Sequence, residues 1–288
     1  MPQTLNLGST APDVILLQTT LNNRPPTALP LLLVDSFFGA ATLKRVKEFQ
    51  ANNGLLVDGL VGSITWGKLL GNPLPEKLTF YAKGRHLYDR LSNKVILRGV
   101  NKMSVWDEEA DPAGSISFPE IRKTGANTVR IVWAIRKDLQ PGSSDTDITH
   151  LDALIANAKA NHLIPQIELH DATGNWNRLP ELVRYWTQPA VVNIIKKHQA
   201  YLLVNIGNEV GDDVSEAQFI DGYTRAIQAM RAAGIQTPLV IDASGWGKNL
   251  DILDATADRL IAADPQHNLI FSVHIYWSIA NGADVNFI

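Results

Sequence analysis

Where apolar runs of strand length end, this sequence places side chains that can exchange protons and bind hydroxyls. The clearest case is LVNIGNEV at 203–210, in which Asn208 and Glu209 close an apolar run with no Lys or Arg beside them. Burial disfavours the charged form of a carboxyl group. Glu209 is therefore expected to have a raised pKa, the condition of a general acid. The other run ends hold Asn101, Arg130, His170 with Asp171, Asp242, and His274 with Tyr276. Five of the seven tryptophans, Trp106, Trp133, Trp176, Trp246 and Trp277, fall on or just behind the same ends. Aromatic rings interleaved with hydrogen-bonding groups suit sugars, whose C–H faces stack on the rings while their hydroxyls take polar partners. Two of the five rings are expected to fill gaps under helices instead. Taken singly, Arg130 also fits a buried ion pair, Glu209 a helix cap and each histidine a satisfied core position. No HExxH or HxH spacing marks a metal site, and no cofactor is expected.

The elements that position these groups alternate. Strands are expected at 95–100, 128–133, 163–169, 202–206, 239–242 and 269–276, with helices at 148–160, 190–197, 216–233 and 250–262 between them. Apolar strands joined by helical crossovers imply a parallel sheet covered by helices. No GxGxxG or GxxxxGK follows the first strand, and the polar residues gather at the C-terminal ends of the strands. That pattern favours a (β/α)8 barrel over a doubly wound sheet. The segment TFYAKGRHLYDRLSNKVILRG reads as a hairpin ahead of the first barrel strand, turning near Ser92 and Asn93.

Residues 1–73 read as a separate all-α unit. Asp35, Gly39 and Thr42 share the spacing DxxxGxxT with Asp58, Gly62 and Thr65. Each copy feeds a helix with an apolar stripe, Leu43, Val46 and Phe49 or Trp66, Leu69 and Leu70, and Val14, Leu17 and Leu21 mark a helix before them. GNPLPEKL provides a stiff linker over 74–78, and the second domain occupies 79–288.

With 45% hydrophobic residues, 26 basic and 29 acidic side chains and a net charge of -3, the chain has a sizeable core and no field that gathers nucleic acid or an anionic membrane. It has no cysteine, hence no disulfide or thiolate chemistry. No apolar stretch reaches the roughly 18 residues of a membrane span. The first residues, MPQTLNLGST, show no signal peptide.

The strings LNLGSTAPDVILLQTTLN, VDSFFGAATLKRVKEFQ and GLLVDGLVGSITWGKLL resemble the bacterial peptidoglycan-binding module of three helices, with Ser36 where that family usually has Gly. LRGVN, NTVRIVW, LHDATG, NIGNE, IDASGWG and FSVHIYW resemble glycoside hydrolase family 5, a retaining (β/α)8 glycanase family, and LHDATG with IDASGWG is most similar to its bacterial β-1,4-mannanases. The resemblance implies that Glu209 is the general acid/base and that Asn208 binds the sugar 2-hydroxyl. It also implies that Arg130 keeps the nucleophile ionised, while His170, His274 and Tyr276 shape the site around the cleaved bond. A retaining enzyme needs a second carboxylate about 5–5.5 Å from the first. The family takes it from the seventh strand, and only six strands are legible here. On this reading the barrel is incomplete, and the chain alone is expected to be inactive and to expose apolar edge strands. Among local carboxylates, Asp242, Asp171 and Glu168, Asp242 is the best alternative nucleophile. The expected partners are a β-linked polysaccharide, mannan or next to it glucan, and peptidoglycan through 1–73. The expected place of action is secreted or associated with the cell wall. A non-catalytic glycan-binding protein with a decayed barrel is the other reading; the barrel motifs do not resemble peptidoglycan hydrolases.

Overall fold

The computed structural model describes residues 2–24, 29–71, 77–107, 109–135 and 147–276. Their contacts divide them into two compact units, one of residues up to Lys77 together with Tyr88–Lys94, the other of Leu78–Leu87 together with Val95 onward. Most of the expected linker, and Trp277, lie outside the described residues.

The first unit holds helices α1 (Pro12–Asn22), α2 (Ala40–Asn52) and α3 (Ser63–Leu70). Val14, Leu17, Leu21, Val46, Phe49, Trp66 and Leu69 form its core, whereas Leu70 is exposed. Each DxxxGxxT loop is tied down by one buried glutamine from the preceding helix. Gln18 Nε2 donates to Asp35 Oδ1, the Phe37 carbonyl and Thr42 Oγ1, and Gln50 Nε2 donates to Asp58 Oδ1, the Leu60 carbonyl and Thr65 Oγ1. The repeat in sequence is thus a repeat of one hydrogen-bonded device. The sites differ at the residue after the Asp. Gly59 takes a left-handed φ of 78°, and Ser36, at the same point of the first loop, is held at 64°.

After the first unit's helices, β1 (Tyr81–Lys83), β2 (His86–Tyr88) and β3 (Lys94–Val95) form a small sheet in that order. There are two reversals here, one through Gly84 and one over 89–93. In the second, Asp89 Oδ1 accepts the N–H groups of Leu91 and Asn93. The single expected hairpin is therefore the second of two turns.

The main sheet is parallel, in the order β4 (Gly99–Lys102), β5 (Thr128–Trp133), β6 (Ile164–Leu169), β7 (Leu203–Asn205), β8 (Leu239–Asp242) and β9 (Leu269–Ser272). The first barrel strand thus lies later than expected, because Lys94 and Val95 belong to the small sheet. The last is shorter, so that His274 and Tyr276 follow the strand. Helices α4 (Ser104–Asp107), α5 (Ser117–Lys123), α6 (Ile148–Ala160), α7 (Leu179–Trp186), α8 (Pro189–His198), α9 (Glu216–Ala232) and α10 (Leu250–Ala263) connect the strands. Side-chain caps start three of them: Asp147 for α6, Ser215 in a capping box with Gln218 for α9, and Asn249 for α10.

Side chains alternate across a strand, and here the alternation divides the labour. Val129, Ile131, Trp133, Ile167, Leu169, Val204, Ile206, Leu239 and Ile241 pack under the helices in one large core. On the opposite face, near the strand starts, Ile164, Leu203, Val240 and Ile270 pack with Phe80, Leu87, Val95 and Leu97. Further along, that face presents Arg130, Glu168, Asn205 and Asp242, the last three fully buried.

The left-handed penalty for a residue with a Cβ, less the extra freedom glycine gives the unfolded chain, predicts that Ser36→Gly stabilises the first unit by about 0.5–1 kcal/mol. Gly59→Ala is expected to destabilise it, since a Cβ there also meets Leu43 Cδ1 at 2.4 Å. Urea unfolding of the two variants checks both signs.

Candidate active site

The polar face of the sheet converges on Glu209, which follows β7 by four residues. Its backbone is left-handed, φ 48°, a costly state for a residue with a Cβ that persists only where its surroundings enforce it. Two backbone bonds enforce it. The Glu209 N–H donates to Asp242 Oδ2 at 3.1 Å, and the Glu209 carbonyl accepts from Gly174 N at 2.9 Å. The carboxyl group then meets two donors from beyond β9: His274 Nδ1 at 2.6 Å and Tyr276 Oη at 2.8 Å, both on Oε1.

Asp242, at the end of β8, lies beneath. Its Oδ1 accepts from Asn205 Nδ2 at 2.8 Å, and its Oδ2 lies 3.2 Å from His274 Nε2 and 3.8 Å from Arg130 Nη2. Both oxygens are occupied and the side chain is fully buried, so Asp242 is not placed to attack a substrate. Glu168 is equally buried, with Oε1 3.0 Å from His170 Nδ1 and 3.4 Å from Arg130 Nη1. Asp171 Oδ2 accepts from the Ile135 N–H, which ties it to the turn after β5. Asn208 is held from both sides: Arg130 Nη2 donates to its Oδ1 at 2.7 Å, and its Nδ2 donates to Thr173 Oγ1 at 2.8 Å.

The electrostatics reverse the expectation for Glu209. Burial raises its pKa, as anticipated, but the hydrogen bonds from His274 and Tyr276 and the His274 charge outweigh burial and leave it lowered. Burial opposes the charge on His274, yet the hydrogen bonds and charges of Asp242 and Glu209 lift its pKa to about 9. Asp242 is lowered despite burial by His274 and Arg130. Tyr276 is raised, chiefly by its bond to Glu209. The cation beside Glu209 comes from 65 positions away, so no local window of sequence contains it. Both His274 nitrogens face carboxylates.

The tryptophans separate by strand parity. Trp133 lies three positions after Arg130, hence on the other face; it is fully buried and donates to Tyr185 Oη at 2.9 Å. Trp176 stacks on Phe219 at 5.8 Å and meets Tyr223 at 5.5 Å, in the packing over α9. Trp133 thus lies within the helix-side core, and Trp176 is partly buried against it. Trp106 stands edge-on to His170 at 5.7 Å. Trp246 is 44% exposed, and its ring lies over Gly174, where a Cβ would come within 2.5 Å. The LHDATG and IDASGWG loops therefore meet at that contact. Asn205 and Thr173 were not among the expected site residues; a polar residue within the apolar run LLVNI was the available signal for Asn205. Asn101 ends exposed on β4.

Residues 89–286 match the family model for cellulase, glycosyl hydrolase family 5, and residues 10–69 match that of the peptidoglycan binding domain. The chain belongs to glycosyl hydrolase family 5. It is 33% identical over 235 residues to a mannan endo-1,4-β-mannosidase of Cellvibrio japonicus, covering 79% of this chain and 52% of that one. A second such relative, from Salipaludibacillus agaradhaerens, is 32% identical, with 68% and 62% covered. The chain thus spans about half to three-fifths of the length of these curated relatives. Among solved structures, the mannohexaose complex of the Thermomonospora fusca β-mannanase superposes with a TM-score of 0.61 at 32% identity, covering 69% of this chain and 66% of that one. These likenesses bear out the barrel class with a small helical N-terminal region.

The ion pair makes stability depend on pH in two directions. His274, raised from 6.5 to about 9, contributes fully below 6.5 and loses its contribution as pH rises through 9. Glu209 and Asp242, lowered from 4.5 and 3.8, contribute above those values and lose their contribution as pH falls through the folded pKa values. Urea unfolding is expected to show higher stability at about pH 6 than at about pH 9.5, with most of the difference abolished in His274→Gln. An equal fall in the variant contradicts the assignment.

Proposed function

We propose that the family 5 domain is a retaining endo-β-1,4-glycanase acting on β-mannan, with Glu209 as its general acid/base. The observation behind this reading is the placement of Glu209. It is a nearly buried carboxyl group at the strand mouth, held through its backbone by Asp242 and through Oε1 by His274 and Tyr276. The mannan-cleaving relatives and the mannohexaose complex of a similar fold support mannan over glucan.

In the proposed reaction the protonated Glu209 gives its proton to the leaving glycosidic oxygen and later takes one from water. Asn208, fixed by Arg130 and Thr173, binds a sugar hydroxyl beside it, and Trp246 offers an exposed ring for a sugar face. Trp106 and His170, in edge contact, line the same mouth. The nucleophile is assigned outside the described residues, because the carboxylates next to Glu209, Asp242 and Glu168, are buried and held by their partners. A nearby second carboxylate also raises the pKa of Glu209 by like-charge repulsion, which is what an acid in this position needs. Residues 1–73 are proposed to target the protein to peptidoglycan or another wall glycan, through the linker 74–78, with the barrel domain at 79–288. The protein's proposed place is outside the cell or at its wall.

Residues 1–288 are expected to bind mannohexaose more tightly than cellohexaose by calorimetry and to lose affinity in Trp246→Ala. Equal binding of both sugars contradicts the mannan assignment. Glu209→Gln is expected to lower kcat on mannan by about 10²–10⁴-fold, and undiminished cleavage overturns its role.

A further inference from the structure

We propose that Asp242 and His274 are positioning residues that store the proton Glu209 uses: the proton rests on His274 Nδ1 and crosses to Glu209 Oε1 when the site demands an acid. The part that concerns cleavage rests on the reading of Glu209 as acid/base; the location of the proton does not.

The geometry assigns each atom. One oxygen, Asp242 Oδ2, faces both ends of the device, the Glu209 backbone N–H at 3.1 Å and His274 Nε2 at 3.2 Å. The other oxygen is held by Asn205 at 2.8 Å, so the carboxylate cannot turn away. His274 is confined as well. Its backbone N–H donates to the Gly247 carbonyl at 2.8 Å, and a Cβ at residue 247 would lie 2.8 Å from the ring. Across the ring, Nδ1 lies 2.6 Å from Glu209 Oε1, a distance short enough for direct transfer.

The charges around His274 come from four elements. Glu209 after β7 and Asp242 on β8 favour the imidazolium, Arg130 on β5 opposes it, and Tyr276 after β9 donates to the same Glu209 oxygen. Two carboxylates against one guanidinium leave the resting pair as His274 cation and Glu209 anion. A further negative charge near Glu209 makes its protonated form the better one. One N–H bond then breaks at Nδ1 and one O–H bond forms at Oε1, and no other bond changes. The result is neutral His274 and neutral Glu209. Because Asp242 keeps a hydrogen bond at Nε2, the neutral ring retains its proton there. This is the tautomer control that a buried carboxylate exerts on a histidine in nucleophilic triads.

Residues 1–288 labelled with nitrogen-15 at histidine test this by NMR, with the His274 signals identified by their loss in His274→Gln. Both ring nitrogens are expected to be protonated near neutral pH, and the neutral ring formed at high pH is expected to carry its proton on Nε2. In Asp242→Asn the proton affinity of His274 is expected to fall about tenfold or more. A neutral ring near neutral pH, a proton retained on Nδ1, or an unshifted Asp242→Asn titration overturns the proposal. If that variant does not fold, the wild-type tautomer decides. Catalysis is not read in this experiment, so its failure and a failure of Glu209→Gln to slow cleavage are separate results.

Discussion

The site depends on one interaction, the imidazole of His274 held between two carboxylates that approach it from neighbouring strands. Taking Asp242 and Glu209 out of water is costly, and a buried charge is tolerated only when paired and hydrogen-bonded with good geometry. His274 meets that requirement for both at 2.6 and 3.2 Å. Much else follows from keeping it in place. The chain after β9 must return along Gly247, the Glu209 backbone must accept a left-handed turn, and Asn205 must be polar inside an otherwise apolar strand. Arg130 completes the arrangement by facing Glu168, Asp242 and Asn208 at once.

The parallel sheet makes this possible with simple means. A strand face that is apolar at its start and polar at its end seals the lower interior against Phe80, Leu87, Val95 and Leu97 and leaves the chemistry above it. The other face is mostly apolar and binds the helices.

That same alternation explains which parts were legible from sequence. Thr128–Trp133, Leu239–Asp242 and helix Ile148–Ala160 have the expected bounds, because period and length together decide them. NTVRIVW contained the answer for Trp133: its separation of three from Arg130 places it on the helix face. Reading the tryptophans by nearness to a strand end, rather than by parity, put it at the mouth. The β4 boundary was not legible, since Lys94 and Val95 pair locally with the hairpin and only long-range pairing starts the barrel strand at Gly99. The charge state of Glu209 was the least legible feature. Its surroundings in sequence are apolar, its surroundings in space include a histidine from the chain after β9, and the second set decides the sign.

The central claim is that His274 sets the charge of Glu209. Titration of the Glu209 carboxyl carbon by carbon-13 NMR, in the wild-type protein and in His274→Gln, tests it directly. The account predicts a wild-type midpoint below the ordinary glutamate value and a clear rise in the variant. A wild-type midpoint at or above the ordinary value, or one that the substitution leaves unchanged, contradicts it.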